Sequence, residues 1–213
     1  MSRPFTRRLA VMFAAAALVA AGPAFAALTD PNAAPEDMTL GNAKAKVTVI
    51  EYASASCPHC ARFNNNVFPA FKAKYVDTGK VHYVFREFLT QPVEIAAAGF
   101  LLARCAGQAK YFSVLDDFFH QQSKIYDTGD AKGVITAVGA KAGLSEAEVQ
   151  ACLGNEVAAK ALNERVQRYV AAGIDSTPTF VINGKPLDYA GHEVNLADLD
   201  GAIRPLLGKG KGR

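Results

Sequence analysis

Lys46-Val47-Thr48-Val49-Ile50-Glu51-Tyr52, followed closely by Ser56-Cys57-Pro58-His59-Cys60-Ala61, decides the fold of this chain. The first stretch has the β-branched density of a strand buried on both faces. The second sets two cysteines at the point where strand gives way to helix, with Pro58 suited to a first helical turn that needs no N–H. Two thiols so spaced can close into a disulfide and reopen. At a helix N-terminus, unpaired amide N–H groups and the helix dipole stabilise a thiolate. Cys57 is therefore expected to be the nucleophile, and Cys60, one turn further on, to resolve a mixed disulfide formed on it. Haem attachment of the c type requires His directly after the second cysteine, where Ala61 stands. A structural zinc site requires four ligands, usually in two close pairs, whereas Cys105 and Cys152 are isolated and 47 residues apart.

Downstream, Phe63, Val67, Phe71 and Tyr75 recur every four residues, an apolar helical stripe that Pro69 must interrupt or kink. Thr78-Gly79 ends it, and Val81 to Arg86 form a second strand, completing a β-α-β unit. From Pro92 to Gly173 the character changes: segments 93–105, 109–122, 131–142, 145–153 and 155–172 all read as helices. Ser145 with Glu148 forms a capping box, Gly107, Gly143 and Gly173 mark helix ends, and Glu164 and Arg168 are spaced for an i,i+4 pair. So much helix exceeds what one crossover needs, and predicts an all-helical lobe inserted into an α/β core. The core resumes at Thr177-Pro178, with a strand over Thr179–Ile182, a hairpin at Asn183-Gly184, a short edge strand over Pro186–Ala190, and a last helix over 195–207 with Asn195 as N-cap.

The ends read differently. Arg3, Arg7 and Arg8, an apolar run from Leu9 to Ala21, and Ala24-Phe25-Ala26 together predict a cleaved secretory signal over residues 1–26. Its removal takes three of the 23 basic residues and none of the 20 acidic ones, leaving a neutral chain. Residues 27–45 read as an extended lead-in and 208–213 as a disordered basic tail carrying Lys209, Lys211 and Arg213. Without that tail the body is net acidic, which gives no footprint for nucleic acid. Export places the four cysteines where disulfides persist. The organisation expected is thus 46–91 and 174–207 as two halves of one core, with 92–173 inserted between them.

Strand, Cys-x-x-Cys, helix, helical insertion, then Thr-Pro before a hairpin and last helix: roughly 38–207 resembles the thioredoxin fold. Cys-Pro-His-Cys with an export signal resembles the periplasmic thiol:disulfide oxidases of the DsbA family. The resemblance implies that Cys57 is the exposed catalytic cysteine, Cys60 its buried partner and Thr177-Pro178 a cis-proline loop that holds substrate. It aligns Glu51 with an acidic residue below the active site that helps move protons. It also implies reduced, folding exported proteins as clients, a membrane-bound DsbB-like partner that reoxidises the pair, and a monomer without metal or cofactor. Two departures stand out. Ser54-Ala55-Ser56 replaces bulky aromatics of well-known relatives, and Thr177 resembles the isomerase-type relatives rather than the oxidases.

The physics of such a pair is general. A stabilised thiolate exists only after the disulfide opens, so each unit of pKa depression favours the reduced protein by about 1.4 kcal/mol, or about 30 mV. His59, between the thiols, is expected to turn its N–H groups or a positive charge to Cys57. Glu51, in an apolar strand, is expected to be buried with a raised pKa, the alternative being a strand-end carboxylate that reaches solvent. Cys105 and Cys152 are expected to form a structural disulfide, worth up to roughly 4 kcal/mol for a loop of that length. Buried free thiols, or a second redox pair, are the alternatives. His82, His120 and His192 read as ordinary histidines, and Phe112, Phe118 and Phe119 as core rather than a peptide groove. The function expected is disulfide donation; an isomerase or reductase of the same fold, and a chaperone that merely holds thiol clients, are the other readings.

Overall fold

The computed structural model describes residues 33–208; the expected signal segment and the basic residues of the tail lie outside them. Five strands form one mixed sheet: β1 (Met38–Gly41), β2 (Val47–Ala53), β3 (Val81–Glu87), β4 (Thr179–Ile182) and β5 (Lys185–Pro186), in the order β1-β3-β2-β4-β5. Only β2 and β3 run parallel, with Glu51 opposite Phe85. Every residue of β2 and β3 is buried, as the continuous apolar runs require of strands covered on both faces. Residues 38–41 belonged to the expected lead-in. They form an edge strand antiparallel to β3, held by the buried Asp37–Arg86 ion pair at 3.0 Å.

The crossover between β2 and β3 breaks into α1 (Pro58–Asn66), α2 (Phe68–Phe71) and a π-helical turn over Lys72–Val76. The break falls at Val67, two residues before the proline that lacks an N–H. The apolar stripe still serves one face, because Phe63, Phe71 and Tyr75 are all buried. The inserted lobe comprises α3 (Val93–Cys105), α4 (Tyr111–Thr128), α5 (Ala131–Lys141), α6 (Glu146–Leu153) and α7 (Glu156–Ala171). The Ser145–Glu148 capping box is present. Helix α4 runs six residues past the expected end, to a left-handed Gly129 at φ 73°. Arg168 bonds Glu36 at 2.7 Å, and Glu164 faces Lys160 at 3.9 Å, so the expected Glu164–Arg168 pair does not form. The chain before β1 lies within reach of Arg168, and a tertiary partner displaces the local one.

Asn183 and Gly184 both take positive φ, 44° and 80°, as a tight hairpin turn demands. Strand β5 stops at Pro186 instead of reaching Ala190; Pro186 pairs with Val181, and one further bond, Leu187 N to Phe180 O at 2.9 Å, follows it before the chain leaves the sheet. Helix α8 (Leu196–Leu207) closes the chain behind an Asn195–Asp198 capping box. Gly99 of α3 serves a close approach: a Cβ there would stand 2.7 Å from the Cβ of Ala55, so the lobe packs directly against the loop that carries the cysteines.

Candidate active site

Cys57 is the N-cap of α1, with an extended backbone (φ −81°, ψ 120°), Pro58 directly after it, and no side-chain capping bond. Its sulfur therefore sits over the first helical turn instead of closing that turn. The thiol is 7% exposed, whereas Cys60 is sealed and accepts only a long contact from Ser54 N at 3.5 Å. Both are free thiols. Their acidities are driven apart. Cys57 is lowered to about 5, chiefly because the Cys60 thiol donates to it; burial opposes, while the Thr177 side chain and the backbone N–H groups of Cys60 and His59 assist. Cys60 is raised far above the ordinary thiol range, first by burial and then by the Cys57 sulfur.

Thr177, 120 residues away in sequence, completes this setting. Its peptide bond to Pro178 is cis, and its carbonyl accepts from Cys57 Sγ at 3.3 Å. Its own hydroxyl is buried, makes no hydrogen bond of ordinary length among the described residues, and is left to the sulfur whose anion it favours. That carbonyl suits the protonated sulfur, while the hydroxyl suits the anion. A groove of about 310 Å³ runs along Thr177 and Pro178, walled also by His59, Arg62, Tyr189 and Glu193.

His59 is arranged differently from expectation. Its ring Nδ1 lies 3.1 Å from Glu193 Oε1 and 2.9 Å from an Arg62 guanidinium nitrogen. What reaches Cys57 from this residue is its backbone N–H, because the helix start points amides at the sulfur while the side chain turns out toward solvent. Glu51 lies on β2 beneath the pair, 3% exposed, and accepts from Tyr83 of β3. Burial raises it to about 8; the Tyr83 hydroxyl pulls the other way and the Cys57 charge adds to the rise. It borders a second cavity of about 300 Å³, into which Phe112 and Phe119 also face. Phe118 and Phe119 are buried in the core, and Phe112 is half-buried against it.

The helical lobe reaches the same loop. Gln122 Nε2 donates to the carbonyls of Ala55 (2.7 Å) and Cys57 (3.1 Å), and the Tyr126 hydroxyl donates to Ser56 O. Ser54, Ser56 and Thr90 share a buried hydroxyl cluster, with Ser54 Oγ and Ser56 Oγ each 2.9 Å from Thr90 Oγ1. None of Gln122, Tyr126, Tyr83 or Glu193 was singled out from sequence. Gln122 did leave a signal, as the one polar residue on a face otherwise built from Phe118, Phe119 and Ile125. Cys105, the last residue of α3, is disulfide-bonded to Cys152 of α6 with Cα atoms 5.8 Å apart. Among the described residues, no three His, Cys, Asp or Glu side chains gather as a metal site, and no helix is long and apolar enough to cross a membrane.

A mixed sheet around β2, a two-cysteine helix start facing a cis-proline, and a helical lobe between the two sheet halves define a thioredoxin-fold protein of the DsbA-like type. The family model described as thioredoxin matches residues 33–203, and the chain belongs to that family. It is 38% identical over 151 residues to a provisionally named protein-disulfide oxidoreductase of Rickettsia conorii, a match covering 70% of this chain and 53% of that protein. The chain thus spans about half the length of the curated relatives it matches first. The structure of Wolbachia pipientis alpha-DsbA1 superposes with a TM-score of 0.72 at 29% identity, covering 83% of this chain and 94% of that one. Oxidised BdbD from Bacillus subtilis, at 20% identity, shares the fold with a TM-score of 0.69, covering 80% of this chain and 92% of its own.

Proposed function

We propose that this chain is an exported, periplasmic, monomeric thiol:disulfide oxidoreductase that gives its Cys57–Cys60 disulfide to reduced, incompletely folded client proteins. The observation that carries the reading is the opposed acidity of two neighbouring sulfurs, about 5 at Cys57 and far above the ordinary range at Cys60. A client thiolate attacks Cys57 Sγ. The disulfide breaks, and its electron pair leaves on Cys60 Sγ, which takes a proton. Glu51, largely protonated at pH 7 with a pKa near 8, is the donor beneath it and is refilled from solvent. A second client thiolate then attacks the client sulfur of the mixed disulfide and expels Cys57 as a thiolate. The client has lost two electrons and two protons, and the pair has gained two electrons and one proton; the second proton goes to water.

Cys57 is the better leaving group because its anion rests against donors. Thr177 and Pro178 line the groove in which a client backbone would lie, and Pro58 fixes the turn that aims the amides. The pair would be recharged by passing two electrons to a membrane-bound DsbB-like acceptor. The export reading is supported by the charge and apolar pattern of residues 1–26. One observation favours an isomerase or reductase instead: Thr177 carries an unpartnered hydroxyl at the sulfur. Refolding of reduced and of scrambled ribonuclease separates the readings. Rescue of the reduced substrate by the oxidised protein is expected; rescue of the scrambled substrate alone would reverse the assigned direction. Client-holding that survives Cys57→Ala would make the protein a chaperone.

A further inference from the structure

We propose that Gln122 and Tyr126 of α4 are positioning residues that clamp the 55–57 loop so that Cys57 Sγ faces helix amides and none of that loop's own carbonyls. This deepens the exchange function proposed above and rests on it. Three consecutive carbonyls, those of Ala55, Ser56 and Cys57, precede and open α1. A carbonyl oxygen turned toward a sulfur anion would repel it, whereas successive N–H groups form an anion-holding concavity. All three carbonyls accept from α4: Gln122 Nε2 serves two, and the Tyr126 hydroxyl serves the third. Among the described residues no other side chain donates to them; the only further bond is the helical Ala61 N to Cys57 O at 3.1 Å.

The remaining sides of the loop are closed by other means. Ala55 is wedged against Gly99 of α3 with no room for a Cβ between them. Ser54 and Ser56 hydrogen-bond to Thr90. Packing, the hydroxyl cluster and the bonds of Cys57 N to Ser54 O (3.0 Å) and Ser56 N to Ser54 Oγ (3.4 Å) hold the loop in place, and α4 supplies the side-chain donors that its carbonyls face. The two jaws of the clamp differ. Gln122 is 2% exposed, so its loss strands a buried carbonyl, while Tyr126 is 43% exposed at the rim of the site. Tyr126 also senses the sulfur, since its phenol is raised first by burial and then by the Cys57 charge. In this reading the inserted lobe is part of the redox machinery, because it orients the dipoles around the reacting sulfur.

The test is thiolate absorbance against pH on the reduced full chain, for wild type, Gln122→Ala, Tyr126→Phe and the exposed control Ser123→Ala, with the glutathione redox equilibrium and a thermal melt of each. Gln122→Ala is expected to raise the Cys57 midpoint by about one pH unit, roughly a tenfold loss of thiolate below the midpoint. Tyr126→Phe should raise it by about half as much, with Ser123→Ala unchanged. The glutathione equilibrium should move toward the oxidised protein by matching factors. If both clamp variants melt lower but titrate like wild type, or if Ser123→Ala shifts as far as they do, the proposal is overturned. Should Gln122→Ala not fold, Tyr126→Phe decides alone, because it removes one hydroxyl from a half-exposed ring. A wild-type midpoint near the free-thiol value of about 8.5 would instead overturn the exchange function itself, and the clamp with it.

Discussion

The tip of α1, and the helical lobe with the strand residue it grips, each hold two cysteines and a buried glutamate, and they treat them in opposite ways. At the tip, Cys57 and Cys60 are free thiols, and Glu51 has a single tyrosine partner and a raised pKa. In the lobe, Cys105 and Cys152 are bonded and join α3 to α6, and Glu87 of β3, gripped by lobe side chains, is fully engaged. Its carboxylate receives Arg104 at 2.6 Å, Arg165 at 2.5 Å and Tyr111 at 3.0 Å. Both glutamates are buried on neighbouring strands, 3% and 2% exposed. Burial alone therefore does not decide whether a group is reactive. Groups left short of partners keep a protonation or redox choice open, and groups fully partnered lose that choice and tie elements together.

The sharpest way to break this comparison is to remove a sulfur from each region. Cys57→Ala should reduce client oxidation to background, measured by refolding of reduced ribonuclease. The double variant Cys105→Ala/Cys152→Ala should leave that rate and the Cys57 titration unchanged. Loss of oxidation in the double variant would show that the two pairs are not separate in role.

The glutamates should respond with opposite signs in denaturant unfolding. Glu87→Gln leaves the buried Arg165 and the half-buried Arg104 uncompensated and should destabilise by about 3–5 kcal/mol. The cysteine double variant should follow, at up to roughly 4 kcal/mol. Glu51→Gln should stabilise. The folded pKa of Glu51 is raised from about 4.5 to about 8, so its contribution is fully present below pH 4.5 and lost as pH rises through 8. Replacing it should therefore have little effect in acid and gain on the order of 3 kcal/mol at pH 7. A destabilised Glu51→Gln at pH 7 would mean that the Tyr83 bond outweighs the cost of burying the carboxylate.

The smallest effect is the stability gap between reduced and oxidised protein. The Cys57 pKa is lowered, so the thiolate's contribution to the reduced form is complete above the ordinary thiol value near 9 and is lost as pH falls through about 5. With solvent screening at the partly open site, the reduced form should exceed the oxidised by on the order of 1 kcal/mol at pH 7. Unfolding both forms at pH 5 and pH 7 should show that gap closing in acid. A gap independent of pH would place the thiolate's stabilisation elsewhere.

Much of the fold was legible because its signals are local. β-branched density marked β2 and β3, Pro69 marked the break in the crossover, and Asn183-Gly184 and the Ser145 box marked a turn and a helix start. Edge strand β1 was not legible, since Met38–Gly41 is a strand only by virtue of pairing with β3. The Glu164–Arg168 pair was expected from spacing and lost to Glu36, a partner that spacing cannot see.

The sequence by itself determined the chemistry available: two thiols one helical turn apart, a proline that frees the helix start, and a carboxyl on the strand beneath. Those follow from residue type and separation, which covalent geometry fixes. Only the tertiary structure decided how that chemistry is tuned. The Thr177 carbonyl and hydroxyl, the Tyr83 donor, the outward turn of His59 and the α4 clamp all act through contacts between residues far apart in the chain. Electrostatics depends on distance in space, and the folded path alone sets that distance.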